Sequence, residues 1–226
     1  MSTPSVLDHI REAAYLNSQG VNALTMDDPR AVAPATAAFR RSLRILQSLS
    51  DLAGPPGVPP TQHPTIPGYG RVPMPSYGSF YIHDEVKLFY PSSDEAVARS
   101  QLPVYSVVVI FNTALAYHRR AMETKMTKFF DAALRLYESA IQLCALHTGN
   151  NQDMLVLYIA MVNNVSLIQN ELANLGALQG TMSTLRKVLH DVMGRNVVRS
   201  AVDLDILNQV QLNALTVNLS APASAA

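Results

Sequence analysis

The chain has 226 residues, of which 48% are apolar and only 15% charged. That balance excludes a disordered polypeptide, which needs low hydrophobicity and usually a high net charge. Seventeen basic residues offset seventeen acidic ones, so no overall field draws the chain to nucleic acid or anionic lipid. The single Cys144 excludes an internal disulfide framework and a cysteine-rich metal centre.

At the N-terminus, Met1 to Leu7 is short and polar and lacks the basic-then-apolar order of a secretion signal. No apolar run approaches the ~20 residues that a membrane span requires. The expectation is an intracellular, soluble protein, cytoplasmic first with the nucleus or another compartment left open, that binds neither membrane nor nucleic acid. Without a secretion signal, the glycosylation patterns Asn164-Val-Ser166 and Asn218-Leu-Ser220 read as chance matches.

Apolar residues at three- and four-residue spacings, such as Leu7, Ile10 and Ala14 and then Leu43 and Leu46, predict helices near 5–25 and 30–50. The stretch from Asp51 to Pro75 then holds eight of the fourteen prolines and four of the ten glycines. No helix survives that density, because each proline removes a backbone donor and biases its predecessor to extended geometry. Six of the fifteen aromatics follow between Tyr69 and Tyr90, a density that argues for packing rather than a free linker. Phe80 to Tyr90 alternates polar and apolar residues around Val86 and Leu88, the signature of a strand with one buried face. Phe80, Tyr81, Phe89 and Tyr90 are therefore expected to dock this insertion onto the helices. A proline-rich ligand for SH3 or WW domains is the weaker reading, since VPPTQHP lacks a clean PxxP core.

Helical periodicity returns from Leu102, with no proline between Pro103 and Pro222, and predicts helices near 103–123, 127–147, 152–175 and 178–194. From Asp203 to Leu219 the pattern is mixed. Leu204, Leu207 and Val210 suit a helix, whereas Leu215, Val217 and Leu219 alternate as in a strand. A short helix followed by a strand that pairs with Phe80–Tyr90 is expected, because an alternating strand needs a neighbour for its backbone groups.

Three segments share one grammar. An asparagine follows an apolar residue on a first helix, at Leu16-Asn17, Phe111-Asn112 and Val162-Asn163. A second helix carries a small residue, then a large one four positions on, then a small or apolar one. The sets are Ala35, Phe39, Ser42; Ala133, Tyr137, Ala140; and, more weakly, Thr181, Leu185, Val188. The small residue lets two helix backbones approach, and the large one fills the adjacent groove on the same face. One such pair cannot bury its own apolar face, so pairs stack.

On these residues the chain resembles tetratricopeptide (TPR) repeats. FNTALAYH, from Phe111 to His118, is similar to a first TPR helix, with Ala114 and Tyr117 at the small and aromatic places. AALRLYESAIQL, from Ala132 to Leu143, is similar to a second. Together with Leu16 to Val21 and Val162-Asn163-Asn164, the combination resembles a group of uncharacterised TPR-like proteins of diatoms. The resemblance covers about residues 10–50 and 100–219 and implies an all-α, TPR-like stack of three antiparallel helix pairs. A Pro/aromatic-rich extended insertion and a minor β-element from about 79–90 and the C-terminal tail complete the expected single domain, 1–226. Its parts are a first helical pair at 5–50, the insertion at 51–101, two further pairs at 102–194 and a C-terminal segment at 195–226. The spacing departs from a regular TPR: the asparagines lie 95 and 51 residues apart rather than ~34. The closing proline is absent, and Val21 and Leu115 stand where a carboxylate clamp would have its asparagine.

No catalytic constellation emerges. The six histidines show no i, i+4 pair and no HExxH motif; His83-Asp84-Glu85 could offer two metal ligands at most. There is no G-x-S-x-G elbow and no Walker-type or G-x-G-x-x-G phosphate loop, and Cys144 reads as a buried, inert thiol. The pairs Arg40-Arg41 and Arg119-Arg120 read as solvated faces. No catalytic residue, cofactor or metal is therefore assigned. The expected function is a non-enzymatic protein–protein interaction module or scaffold, and its partner a protein or peptide. Candidate partner-binding residues are Asn17, Asn112, Asn163 and Tyr117. The asparagines could hydrogen-bond an extended peptide, or bridge adjacent helices; their place beside the packing face favours the second. The alternative function is an enzyme or small-ligand carrier with a pocket between the insertion and the helices.

Overall fold

The computed structural model describes residues 5–25, 29–52, 86, 88, 94–147, 152–194 and 201–220. Among them the ordered elements are all helical, with no strand. They are α1 (Val6–Leu24), a 3-10 turn (Pro29–Ala31), α2 (Val32–Leu52), α3 (Glu95–Ser100), α4 (Leu102–Thr124), α5 (Thr127–His147), α6 (Gln152–Glu171), α7 (Leu175–Gly194) and α8 (Ala201–Ser220). The six helices expected from periodicity are all present. No helix among the described residues is long and apolar enough to cross a membrane.

The contacts divide the chain into two compact units, one carrying α1 to α5 and the other α6 to α8. In the first, α1 begins at a capping box. Ser5 Oγ accepts from the Asp8 N–H, and the Asp8 carboxylate accepts the Ser5 N–H at 3.0 Å. Those hydrogen bonds from Ser5 hold the Asp8 carboxyl below its ordinary pKa. α1 and α2 run antiparallel: Ser42 Oγ donates to the Ala13 carbonyl at 2.8 Å, while Phe39 lies against Gly20. A Cβ at position 20 would come within 2.7 Å of three Phe39 ring atoms, so the close approach requires glycine. α4 and α5 form a second antiparallel hairpin through Phe111, His118, Phe130 and Tyr137, and α2 packs on α4. Ala35, Phe39 and Ser42 on α2 are fully buried, as are Ala133, Tyr137 and Ala140 on α5. The small–large–small grammar thus marks the faces where these second helices pack.

In the other unit a short turn joins α6 to α7, with Asn174 Oδ1 accepting from the Ala177 N–H at 3.3 Å. On α7 Leu185 is buried while Thr181 and Val188 are only half-buried, in keeping with the weaker third match. α8 packs on both α6 and α7.

Two expectations are corrected here. The C-terminal segment is one continuous helix over Ala201–Ser220, not a helix followed by a strand. Ile206, Leu207, Val210 and Ala214 are buried at helical spacing, whereas Leu215, the start of the strand-like alternation, is exposed. The minor β-element therefore has no C-terminal partner. The run from Glu95 to Arg99, assigned to the insertion, begins a helix: Asp94 caps it through the N–H groups of Ala96 and Val97. Phe80, Tyr81, Phe89, Tyr90 and His83-Asp84-Glu85 lie outside the described residues.

Candidate functional site

The first unit brings two of the candidate asparagines together from residues 95 positions apart. α1 and α4 lie side by side and parallel, since Asn17 meets Asn112 and, one to two turns on, Leu24 meets Arg119. The two amides enclose the backbone of one residue, Val86. Asn112 Oδ1 accepts the Val86 N–H at 2.9 Å, and Asn112 Nδ2 donates to the Val86 carbonyl at 2.7 Å. Asn17 Nδ2 donates to the same carbonyl at 3.2 Å, while Asn17 Oδ1 accepts the second Asn112 N–H at 2.9 Å.

One side-chain amide can reach both the N–H and the C=O of a residue only where the two point the same way, as in extended chain. Asn112 therefore takes the place of a neighbouring strand residue, which in a ladder exchanges both bonds with its opposite. Every polar atom of the Asn112 amide is used, as a buried polar cluster requires. Val86 is 1% exposed and Leu88 5% exposed, so the two apolar side chains two residues apart are both covered. The sequence alternation identified these two buried positions. It assigned the hydrogen-bonding neighbour to the C-terminus, whereas at Val86 asparagine side chains supply it.

Of the basic residues expected on solvated faces, Arg40 and Arg41 are exposed and Arg120 is half-buried, and only Arg119 departs from the expectation. Arg119 is buried, and its Nη1 donates to the Leu24 carbonyl at 3.1 Å. This places a positive charge at the C-terminal end of α1, whose last turn has no basic residue of its own. Arg41 pairs with Glu12 at 2.7 Å, and Arg120 with Glu123 at 3.3 Å. The Arg40 guanidinium donates to the Tyr117 hydroxyl and lies 5.8 Å from the ring centroid. Tyr117 also stacks on Phe129, with ring centroids 6.3 Å apart. Tyr117 thus links α2, α4 and α5 and makes no bond within the Asn17–Asn112 cluster.

Next to it, His118 is fully buried between Phe130 and Tyr137, and neither ring nitrogen has a hydrogen-bond partner among the described residues. Burial, aided by the neighbouring Arg119 charge, pushes its pKa down to about 3, so the imidazole is neutral. Burial likewise raises the Cys144 thiol to about 12 and the Tyr105 hydroxyl to about 12. Neither is suited to nucleophilic or proton-transfer chemistry near neutral pH.

Asn163 lies in the other unit. Its Oδ1 accepts from Asn213 Nδ2 at 2.8 Å, and its Nδ2 donates to Asn164 Oδ1 at 3.2 Å. Asn213 was not among the candidates, yet Leu212-Asn213 repeats the apolar–asparagine pair 50 residues after Asn163. Its signal was masked by the strand-like reading of that segment. Asn164 and Ser166 are both buried within α6, out of reach of a glycosylating enzyme. Among the described residues no three histidine, cysteine, aspartate or glutamate side chains gather as a metal site would require. Comparison with protein-family models, curated proteins and solved structures finds no match to this chain.

Proposed function

We propose that the chain is a non-enzymatic protein–protein interaction module of TPR-like, helical-repeat type. Its partner is an extended peptide held between α1 and α4. The observation that carries this reading is the bidentate grip of Asn112, backed by Asn17, on both backbone groups of Val86. Backbone recognition of this kind supplies affinity, and pockets for alternate side chains supply selection. The preferred ligand carries two apolar residues separated by one of any type. Its first apolar residue cannot be proline, because Asn112 needs an N–H to accept. In this protein the two asparagines hold the backbone of the chain's own Val86, and the Val86 and Leu88 side chains are both buried.

The test vacates the groove and refills it in trans. A variant with Val86→Asp and Leu88→Asp is titrated with a labelled peptide of sequence DEVKLFY, residues 84–90 of the chain. Saturable binding that Asn112→Ala abolishes is the expected result. No binding, or binding indifferent to Asn112→Ala, overturns the reading. The alternative of an enzyme or small-ligand carrier rests on a pocket between the insertion and the helices, and most of the insertion lies outside the described residues.

A further inference from the structure

The bonds that Asn17 and Asn112 make to Val86 read no side chain. They end on its N–H and its carbonyl, a pair that every residue except proline offers. The chain's own residue and a foreign one therefore compete for the same amide atoms. The helices that carry those amides are tied together without Val86. Asn112 donates to Asn17 at 2.9 Å, Arg119 donates to the Leu24 carbonyl at 3.1 Å, and α2 packs on both α1 and α4. The site thus outlasts the departure of the residue it holds. Departure takes two partners from the buried Asn112 amide, a cost that a second extended segment removes by supplying the same N–H and C=O. Exchange of one segment for another is the change this geometry favours.

The sequence sets how strongly the chain's own residue competes. Val86 stands eight positions before Asp94, which caps α3 through the N–H groups of Ala96 and Val97. α3 in turn packs on α1 and α4, the two helices of the grip. Eight residues span at most about 28 Å, so a released Val86 remains beside the groove at a local concentration on the order of millimolar.

We infer that Val86 and Leu88 form an autoinhibitory contact: they occupy the peptide groove in cis, and a partner peptide binds only as they leave. The inference rests on the peptide-binding reading of Asn17 and Asn112 and adds its regulation. A free peptide then binds with its intrinsic dissociation constant divided by the fraction of molecules whose groove is vacated. Whatever loosens Val86 or Leu88 raises that fraction and switches the site on.

The test measures binding of the labelled peptide DEVKLFY to the full chain, to its Leu88→Ala variant and to its Val86→Pro variant. Leu88→Ala trims a buried side chain of the competitor and leaves the backbone bonds in place. Val86→Pro removes the N–H that Asn112 Oδ1 accepts, while the peptide keeps its own. The dissociation constant is expected to fall in that order, at least tenfold between the unaltered protein and Val86→Pro. Association with the unaltered protein should level off as peptide concentration rises, at the rate with which the chain's own segment leaves. Circular dichroism with a melting curve checks that both variants fold; should Val86→Pro fail to, Leu88→Ala decides alone, with at least threefold tighter binding expected. Equal affinity for all three proteins overturns the inference and leaves the peptide-binding reading standing. No saturable binding to any of them overturns both. Sedimentation showing the unaltered protein as a dimer that Val86→Pro dissociates also overturns the inference, since the occupant would then come from a second copy of this chain.

Discussion

Asn112 is the side chain on which the Val86 contact turns, because among the described side chains it alone bonds both the N–H and the C=O. Replacing it with alanine strands the buried Val86 N–H, and a buried unsatisfied donor costs roughly 1–3 kcal/mol. Asn112→Ala is expected to lower the urea midpoint accordingly. Asn17→Ala should cost less, since the Val86 carbonyl keeps its 2.7 Å bond from Asn112. His118 gives a different kind of prediction. In the unfolded chain it binds a proton below its ordinary pKa of 6.5, whereas in the folded protein it resists until about 3. The unfolded state therefore binds more protons in that window, and stability falls as pH drops from about 6.5 towards 3. His118→Leu keeps an apolar side chain among the rings and leaves no nitrogen unsatisfied. It should be close to neutral in stability at pH 7 and should remove this share of the acid slope, measured as unfolding free energy against pH. The asparagines were legible in the sequence because the apolar–asparagine pair recurs. What they hold was not, because a side-chain amide standing in for a strand leaves no periodicity of its own.

At the scale of the helix, the hairpins depend on a few close approaches. Glycine within a helix is ordinarily worse than alanine by roughly 0.5–1 kcal/mol. At position 20 the sign reverses, because the added methyl group meets the buried Phe39 ring. Gly20→Ala should destabilise by about 1–3 kcal/mol, the usual cost of overpacking, and Phe39→Leu in the same chain should recover part of it in a thermal melt. The turn between α6 and α7 offers the opposite case. Ala173 sits at φ 52°, a left-handed conformation that costs an L-residue about 1–2 kcal/mol. Ala173→Gly should therefore raise the melting temperature. Six helices were legible from spacing alone, since apolar residues every three or four positions leave little choice of structure. α8 misled because it is apolar on more than its buried side: Leu212 and Leu215 are exposed, and their presence imitates other periods. α3 was overlooked because six residues are too few for a period, although Asp94 and the Glu95–Arg99 pair, 2.8 Å apart, mark it in retrospect.

For the whole molecule, the all-α class followed from the sequence, while the stacking of hairpins could be read only as far as the repeats were regular. The way Val86 is held gives the protein its proposed use. α1 and α4 hold Val86 by its backbone, the contact from which peptide binding is proposed. The amide proton of Val86 reports on this most directly. Hydrogen exchange followed by NMR should find it among the protected amides of the first unit, with protection lost in Asn112→Ala while the amides of the α4–α5 hairpin remain slow. Exchange of the Val86 amide at the rate of an unstructured peptide in the unaltered protein, or protection unchanged by Asn112→Ala, would contradict the grip and the function proposed from it.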